Sequence, residues 1–107
     1  MVRQTVRRNI KKYLKYLPKV GIHPTKAILY GSYAKGTENK WSDIDIVVVA
    51  PEFDRKYKFN LVLTLWGARD HADIRLEPIP CGEKEWESGD GRPIIEVARK
   101  EGIVIQP

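Results

Sequence analysis

A Gly-Ser pair, Gly31-Ser32, closes one short apolar run, and ten residues later two aspartates, Asp43 and Asp45, open another. A glycine directly after a strand lets the backbone approach a ligand, because no side chain stands in the way. A serine at the next position offers a hydroxyl where a helix would begin. The free amide groups and positive dipole end there favour phosphate. Residues two apart on a strand point to the same side, so the Asp43 and Asp45 carboxylates converge and repel. Such a pair calls for a cation, and an all-oxygen donor set suits Mg²⁺, which is held by one or two carboxylates plus substrate phosphates. Each half has an ordinary alternative: Gly-Ser opens many turns, and Asp43 can cap the turn made by Asn39 to Ser42. Their order between two strands favours the chemical reading, a phosphate cradle within reach of a metal clamp. The reactions that need both are led by phosphoryl and nucleotidyl transfer.

Two-metal chemistry wants a further carboxylate, since the ions lie ~3.5–4 Å apart and share ligands. Asp73 is the candidate, on the polar face of a third strand that would bring it beside Asp43 and Asp45. Asp70 competes from the loop before that strand, and Glu77, four residues beyond Asp73, reads as an outer supporting group or a surface charge. Lys35 and Lys40 lie in the connecting loop, where each is either a phosphate partner or an ordinary surface lysine. His71 reads as a solvated loop residue and His23 takes no role. Tyr33 and Trp41 pack around the turn or contact a nucleotide, and Trp66 and Trp86 belong to the core or an interface.

The elements that must hold these residues follow from periodicity. Val2, Val6, Ile10, Tyr13, Leu14 and Leu17 recur at helical spacing, and Pro18 and Gly21 end that helix. Lys26 to Tyr30 is a short strand, Ser32 to about Thr37 one or two helical turns, and Glu38 to Ser42 polar loop. Asp43 to Ala50 reads as a buried strand, because Val47-Val48-Val49 leaves no face polar. Tyr57 to Ala68 is a helix apolar on much of its circumference, so it is deeply buried or docks onto something. Ala72 to Ile79 alternates as a strand, with Asp73, Arg75 and Glu77 on its polar face, and Pro78 and Pro80 end it. Glu83 to Glu87 is about one helical turn, and Ser88 to Gly91 a turn. Pro93 starts a last helix that Gly102 stops, and Ile103 to Ile105 adds a short strand. This alternation predicts an α/β (α+β) fold, a small mixed sheet flanked by helices.

Size and charge bound the rest. With 107 residues the chain is read as one domain over 1–107 with one modest core. No apolar run approaches the ~20 residues of a membrane helix, and residues 1–19 carry no signal-peptide core. Cys81 is the one cysteine, so no intrachain disulfide forms, and a reducing cytoplasm fits. Net charge is +5, yet residues 1–20 hold seven of the 19 basic residues and no acid, leaving 12 bases against 14 acids elsewhere. The basicity is therefore one helix, spanning residues 2–17. It is either a solvated face or a surface for nucleotides, RNA or an acidic partner.

Gly31-Ser32, ten residues, then Asp43-x-Asp45 resembles the signature of the DNA polymerase β-like nucleotidyltransferase superfamily. Gly-Ser-Tyr-Ala-Lys-Gly-Thr from Gly31, and Trp-Ser-Asp-Ile-Asp-Ile from Trp41, look like its minimal nucleotidyltransferase (MNT) branch. Asp-Ile-Arg-Leu-Glu-Pro-Ile-Pro from Asp73 and the ending from Pro93 to Val104 extend the likeness over nearly the whole chain. The resemblance implies the polymerase β-like fold, with Gly31 and Ser32 on the β- and γ-phosphates of a nucleoside triphosphate. It implies Asp43 and Asp45 on Mg²⁺, two ions with the nucleotide bound, and Asp73 on the ion nearer the acceptor. It also implies transfer of AMP from ATP to a hydroxyl, on a HEPN-domain partner, the chain acting as antitoxin of a toxin–antitoxin pair. So short a chain lacks the helical domain that larger members use to hold the base or position the acceptor. Another molecule, a second copy or a different protein, would then complete the site. Two other readings compete: a binding module that neutralises its partner by contact alone, and an RNA-binding accessory domain using the basic helix.

Overall fold

The computed structural model of the chain describes residues 2–55, 59–89 and 91–107. The first helix, α1 (Gln4–Tyr16), buries Val6, Ile10, Tyr13 and Leu14, the helically spaced apolar positions. It runs on into a 3₁₀ turn, Leu17–Val20, which Gly21 closes at φ 91°. The strands are β1 (Lys26–Tyr30), β2 (Ile44–Val49), β3 (Leu76–Cys81) and β4 (Ile103–Ile105). The helices between them are α2 (Ser32–Lys35), α3 (Phe59–Gly67), α4 (Glu83–Ser88) and α5 (Pro93–Glu101).

The strands form one four-stranded sheet in the order β3-β2-β1-β4. β1 is antiparallel to both β2 and β4, and β2 is parallel to β3, so the sheet is mixed as the sequence predicts. One face packs on α1 and α3: Ala27, Leu29, Ile44, Ile46, Val48 and Leu76 meet Ile10, Tyr13, Leu14 and Leu65. The buried Tyr13 hydroxyl donates to the Leu65 carbonyl and ties α1 to α3. Ile28, Val47, Val49 and Cys81 of the other face pack with Trp86 of α4 and Ile95 and Ala98 of α5. The apolar run Val47-Val48-Val49 is explained by this two-sided cover.

Two expectations need correction. The third strand is not Ala72 to Ile79 but Leu76–Cys81, and it passes through Pro78 and Pro80 instead of ending before them. The physical reason is the edge. The Arg75 and Cys81 carbonyls accept from the Ile44 and Ala50 amides, so the odd-numbered residues bond toward β2. Pro78 and Pro80 therefore face the open side, where a missing N–H costs no ladder bond. The Leu76 and Pro80 carbonyls on that side are capped by Arg69 and Arg92. The apolar helix is also less buried than expected. Tyr57 lies outside the described residues, as does Asp90 of the Ser88–Gly91 turn. From Phe59 to Gly67 only Leu65 is fully buried, while Phe59 and Leu63 are exposed. Among the described residues, no helix is long and apolar enough to cross a membrane.

Candidate functional site

β1 delivers Gly31 to the end of the sheet. There the backbone takes φ 75°, ψ −151°, a region essentially reserved for glycine, and α2 starts at Ser32. The amides of Ala34 and Lys35 both donate to the Gly31 carbonyl and close the turn. Register then does the rest. Tyr30 stands opposite Asp45 on the antiparallel side, and Asp45 stands beside Glu77 on the parallel side. In-register neighbours share a face, so Tyr30, Asp45 and Glu77 form one row across three strands ~4.8 Å apart. Gly31 lies directly over this row: a Cβ there would stand 2.5 Å from Asp45 Oδ2. The Gly-Ser turn and the carboxylates are thus in contact, through a space that only a glycine leaves open.

The electrostatics mark a crowded acid cluster. Burial, and then the charge of Asp43, holds the Asp45 carboxyl above its ordinary value. Glu77 is also raised, first by hydrogen bonding with the Asp43 carboxyl, then by burial and by the charges of Asp43 and Asp45. Arg69 opposes this only weakly. The Tyr30 hydroxyl is pushed up to about 12 by burial, Asp45 and Glu77. Asp43, Asp45 and Glu77 therefore share one region of negative charge with little basic compensation. Among the described residues no three acid, His or Cys side chains are already drawn together as a metal-ligand set. The fit to a cation rests on the donor chemistry: oxygen ligands only, two of them raised by their neighbours' charge, which a divalent ion would relieve.

Asp73, expected as the third carboxylate, is placed elsewhere. It sits in the turn before β3, not on the strand, and its side chain is only 7% exposed. Its oxygens accept from Asn9 Nδ2 (3.0 Å), from the Arg75 amide (2.9 Å) and from Arg75 Nε (3.0 Å) and Nη2 (2.7 Å). Arg75 Nη1 continues to the Tyr33 hydroxyl at 3.0 Å. Burial pulls the Asp73 carboxyl up, but these bonds outweigh it and leave it below the ordinary carboxylate range. The residue ties α1, the turn before β3 and α2 together. The signal in the chain is Asp-x-Arg, a side chain that can cap an amide two residues on and pair with the same residue's guanidinium. Glu77 is the carboxylate that β3 brings beside Asp45, and a strand starting four residues later would have indicated it.

The remaining candidates scatter. Lys35 Nζ lies 3.5 Å from Glu101, and Lys40 Nζ sits 5.0 Å above the Trp41 ring, which is 81% exposed. Tyr33 is buried under the turn, His23 pairs with Glu52, and His71 stacks on Tyr16 at 4.0 Å. Trp86 is buried and faced by Lys26 and Arg99, and Trp66 is faced by Arg69.

Substitution separates the two acids. Asp73→Asn is expected to cost about 1–3 kcal/mol by weakening charge-assisted bonds to a buried carboxylate. A folded-state value below the unfolded one means that the Asp73 contribution is present above pH ~4 and lost as pH falls through the folded value. Melting curves from pH 3 to 7 should therefore fall less steeply on acidification for Asp73→Asn than for wild type. Glu77 has the opposite sign: its contribution is full below the unfolded value and lost as pH rises through the raised folded one. Glu77→Gln should therefore melt at or above wild type at pH 7. A variant Asp73→Asn that melts like wild type at every pH would remove the structural role.

A family model described as a nucleotidyltransferase domain matches residues 7–105. No curated protein matches the chain.

Proposed function

Because the chain belongs to the nucleotidyltransferase domain family, whose members usually use a divalent metal, we propose that it transfers AMP from ATP to a hydroxyl on a second protein. Its mixed sheet flanked by helices is consistent with the polymerase β-like nucleotidyltransferase fold. The observation that carries the proposal is the contact of the Gly31 turn with the carboxylate row. Gly31 and Ser32 hold the terminal phosphates through backbone amides and the serine hydroxyl. Asp43, Asp45 and Glu77 are the residues that would hold Mg²⁺. When bound, the metal supplies charge neutralisation at the phosphates and orients the leaving pyrophosphate. The acceptor oxygen forms a bond to the α-phosphorus, and the bond to the bridging oxygen breaks, with its electron pair leaving on pyrophosphate. The acceptor proton passes to a carboxylate. Glu77, in register with Asp45, takes the place expected for Asp73. Asp73, Lys35 and Lys40 are left out, since their side chains are engaged with Arg75, Glu101 and Trp41.

In this reading the acceptor hydroxyl is presented by a second protein. By the likeness to the minimal branch, that partner is a HEPN-domain protein and the chain acts as its antitoxin. The test is incubation with ATP labelled at the α-phosphate, Mg²⁺ and the partner. Label is expected on the partner, and a stable complex without label would sink the catalytic reading. A second reading, neutralisation by contact alone, is favoured by exposed apolar side chains at Phe59 (72%), Ile74 (70%) and Trp41 (81%). A partner neutralised equally well by a chain lacking Asp43 and Asp45 would establish it.

A further inference from the structure

The transfer site leaves the basic helix unused. The structure shows a groove of about 870 Å³ along α1, lined by Arg7, Arg8, Lys11, Lys12, Lys15 and Lys19 together with Tyr16 and His71. Arg8, Lys12 and Lys15 follow one another three or four residues apart, so they form a single row along α1. From Arg8 to Lys15 that row runs ~10 Å at 1.5 Å per residue. Among the described residues none of the six cations pairs with an acid. Lys11 alone is tethered, by a bond from its Nζ to the Gln106 carbonyl at 3.0 Å. The apolar side of α1 packs against the sheet face opposite the Tyr30–Asp45–Glu77 row, so the groove is a separate surface.

A row of cations alone would suit any polyanion. The aromatic part of the lining adds something more selective. The exposed His71 imidazole lies parallel to the Tyr16 ring, 4.0 Å between centroids at 14°. This is a flat aromatic ledge beside a line of phosphate-reaching side chains. Alternating cation and aromatic contacts are what single strands use, since every base has a face to stack and every link a charge. An acidic peptide offers the charge without the faces. We propose that the α1 groove binds single-stranded nucleic acid, its phosphates along Arg8, Lys12 and Lys15 and one base on the His71–Tyr16 stack.

Fluorescence anisotropy at pH 7.5 tests this, with labelled 12-nucleotide adenine-rich RNA, the same sequence as DNA, and a 12-residue polyglutamate. Single strands give a slope of log K against log salt near −0.7 per phosphate contact. Replacing Arg8, Lys12 and Lys15 by alanine should lower that slope by about 2 and weaken binding at least tenfold. These side chains are exposed, and alanine is a good helix former, so α1 should persist, as circular dichroism would show. His71→Ala should weaken both oligonucleotides about fivefold or more without changing the slope. Polyglutamate should bind at least tenfold more weakly and ignore His71→Ala. Equal affinity for RNA and DNA supports a groove for single strands of either kind, and a preference for one identifies the source. Polyglutamate binding as tightly as the oligonucleotides, with His71→Ala silent, would overturn the proposal in favour of an acidic protein. So would dissociation constants weaker than about 100 µM for both oligonucleotides at 100 mM salt, the weak limit of ordinary non-specific nucleic-acid binding.

Discussion

Replacing Asp43 and Asp45 together by asparagine should abolish nucleotidyl transfer and leave the fold at least as stable as wild type. The loss follows from removing two of the three carboxylates that can hold the cation. About 4 kcal/mol of transition-state stabilisation, a thousandfold in rate, is the order expected for such a change. The gain in stability follows from the signs. Asp45 is raised by burial and then by the charge of Asp43, and Glu77 by its hydrogen bond with Asp43, by burial and by both aspartates' charge, so their ionisation works against the folded state near neutral pH. Asparagine keeps the shape of aspartate and removes that charge. Thermal melts at pH 7 should place the double variant at or above wild type. With Mg²⁺ and a non-hydrolysable nucleotide at tenfold their dissociation constants, wild type should gain about 1.4 kcal/mol and the variant nothing. Equal ligand-induced shifts in the two proteins would show that the carboxylates do not hold the metal, whatever the activity.

Gly31→Ala is the second large effect. An alanine would bring its Cβ to 2.5 Å from Asp45 Oδ2 and must also adopt φ 75°, ψ −151°. Backbone strain of this kind costs about 1–3 kcal/mol. In a chain of about this length, each kcal/mol lowers the melting temperature by roughly 4–8 °C. Relief is available only by moving Asp45 or the turn, and either movement separates phosphate from carboxylate. Activity should therefore fall with stability, measured below the melting temperature so that loss of fold does not account for it. A Gly31→Ala protein as active and as stable as wild type would mean that the turn does not lie against Asp45. A control at Gly21, where a Cβ would meet nothing within 4 Å, should show the backbone cost without loss of transfer.

Much of the architecture is written in local pattern. The helical spacing of Val6, Ile10, Tyr13 and Leu14 marks α1, and the unbroken Val47-Val48-Val49 marks a strand covered on both sides. Lys26–Tyr30 and Ile103–Ile105 have the bounds read from the chain. The failure at β3 has one cause. Proline is a stop for a strand bonded on both sides. Whether a strand has one neighbour or two is a property of the sheet, and here Pro78 and Pro80 point to the free edge.

The same slip of four residues governs the candidate site. Gly31, Asp43 and Asp45 could be picked out in the chain because their relation is local. A turn follows a strand, two residues alternate, and a short loop joins them. Asp73 and Glu77 are alike in that respect: both are acids near the third strand. Only pairing decides between them, by setting Glu77 in register with Asp45 while Asn9, 64 residues away in sequence, and Arg75 take up Asp73. The basic row of α1 was likewise legible as charge. The Tyr16–His71 stack beside it brings together residues from distant segments, and tertiary packing alone creates it. Local backbone geometry thus specifies which chemistry this chain can support, and long-range register and packing specify which carboxylate and which surface carry it.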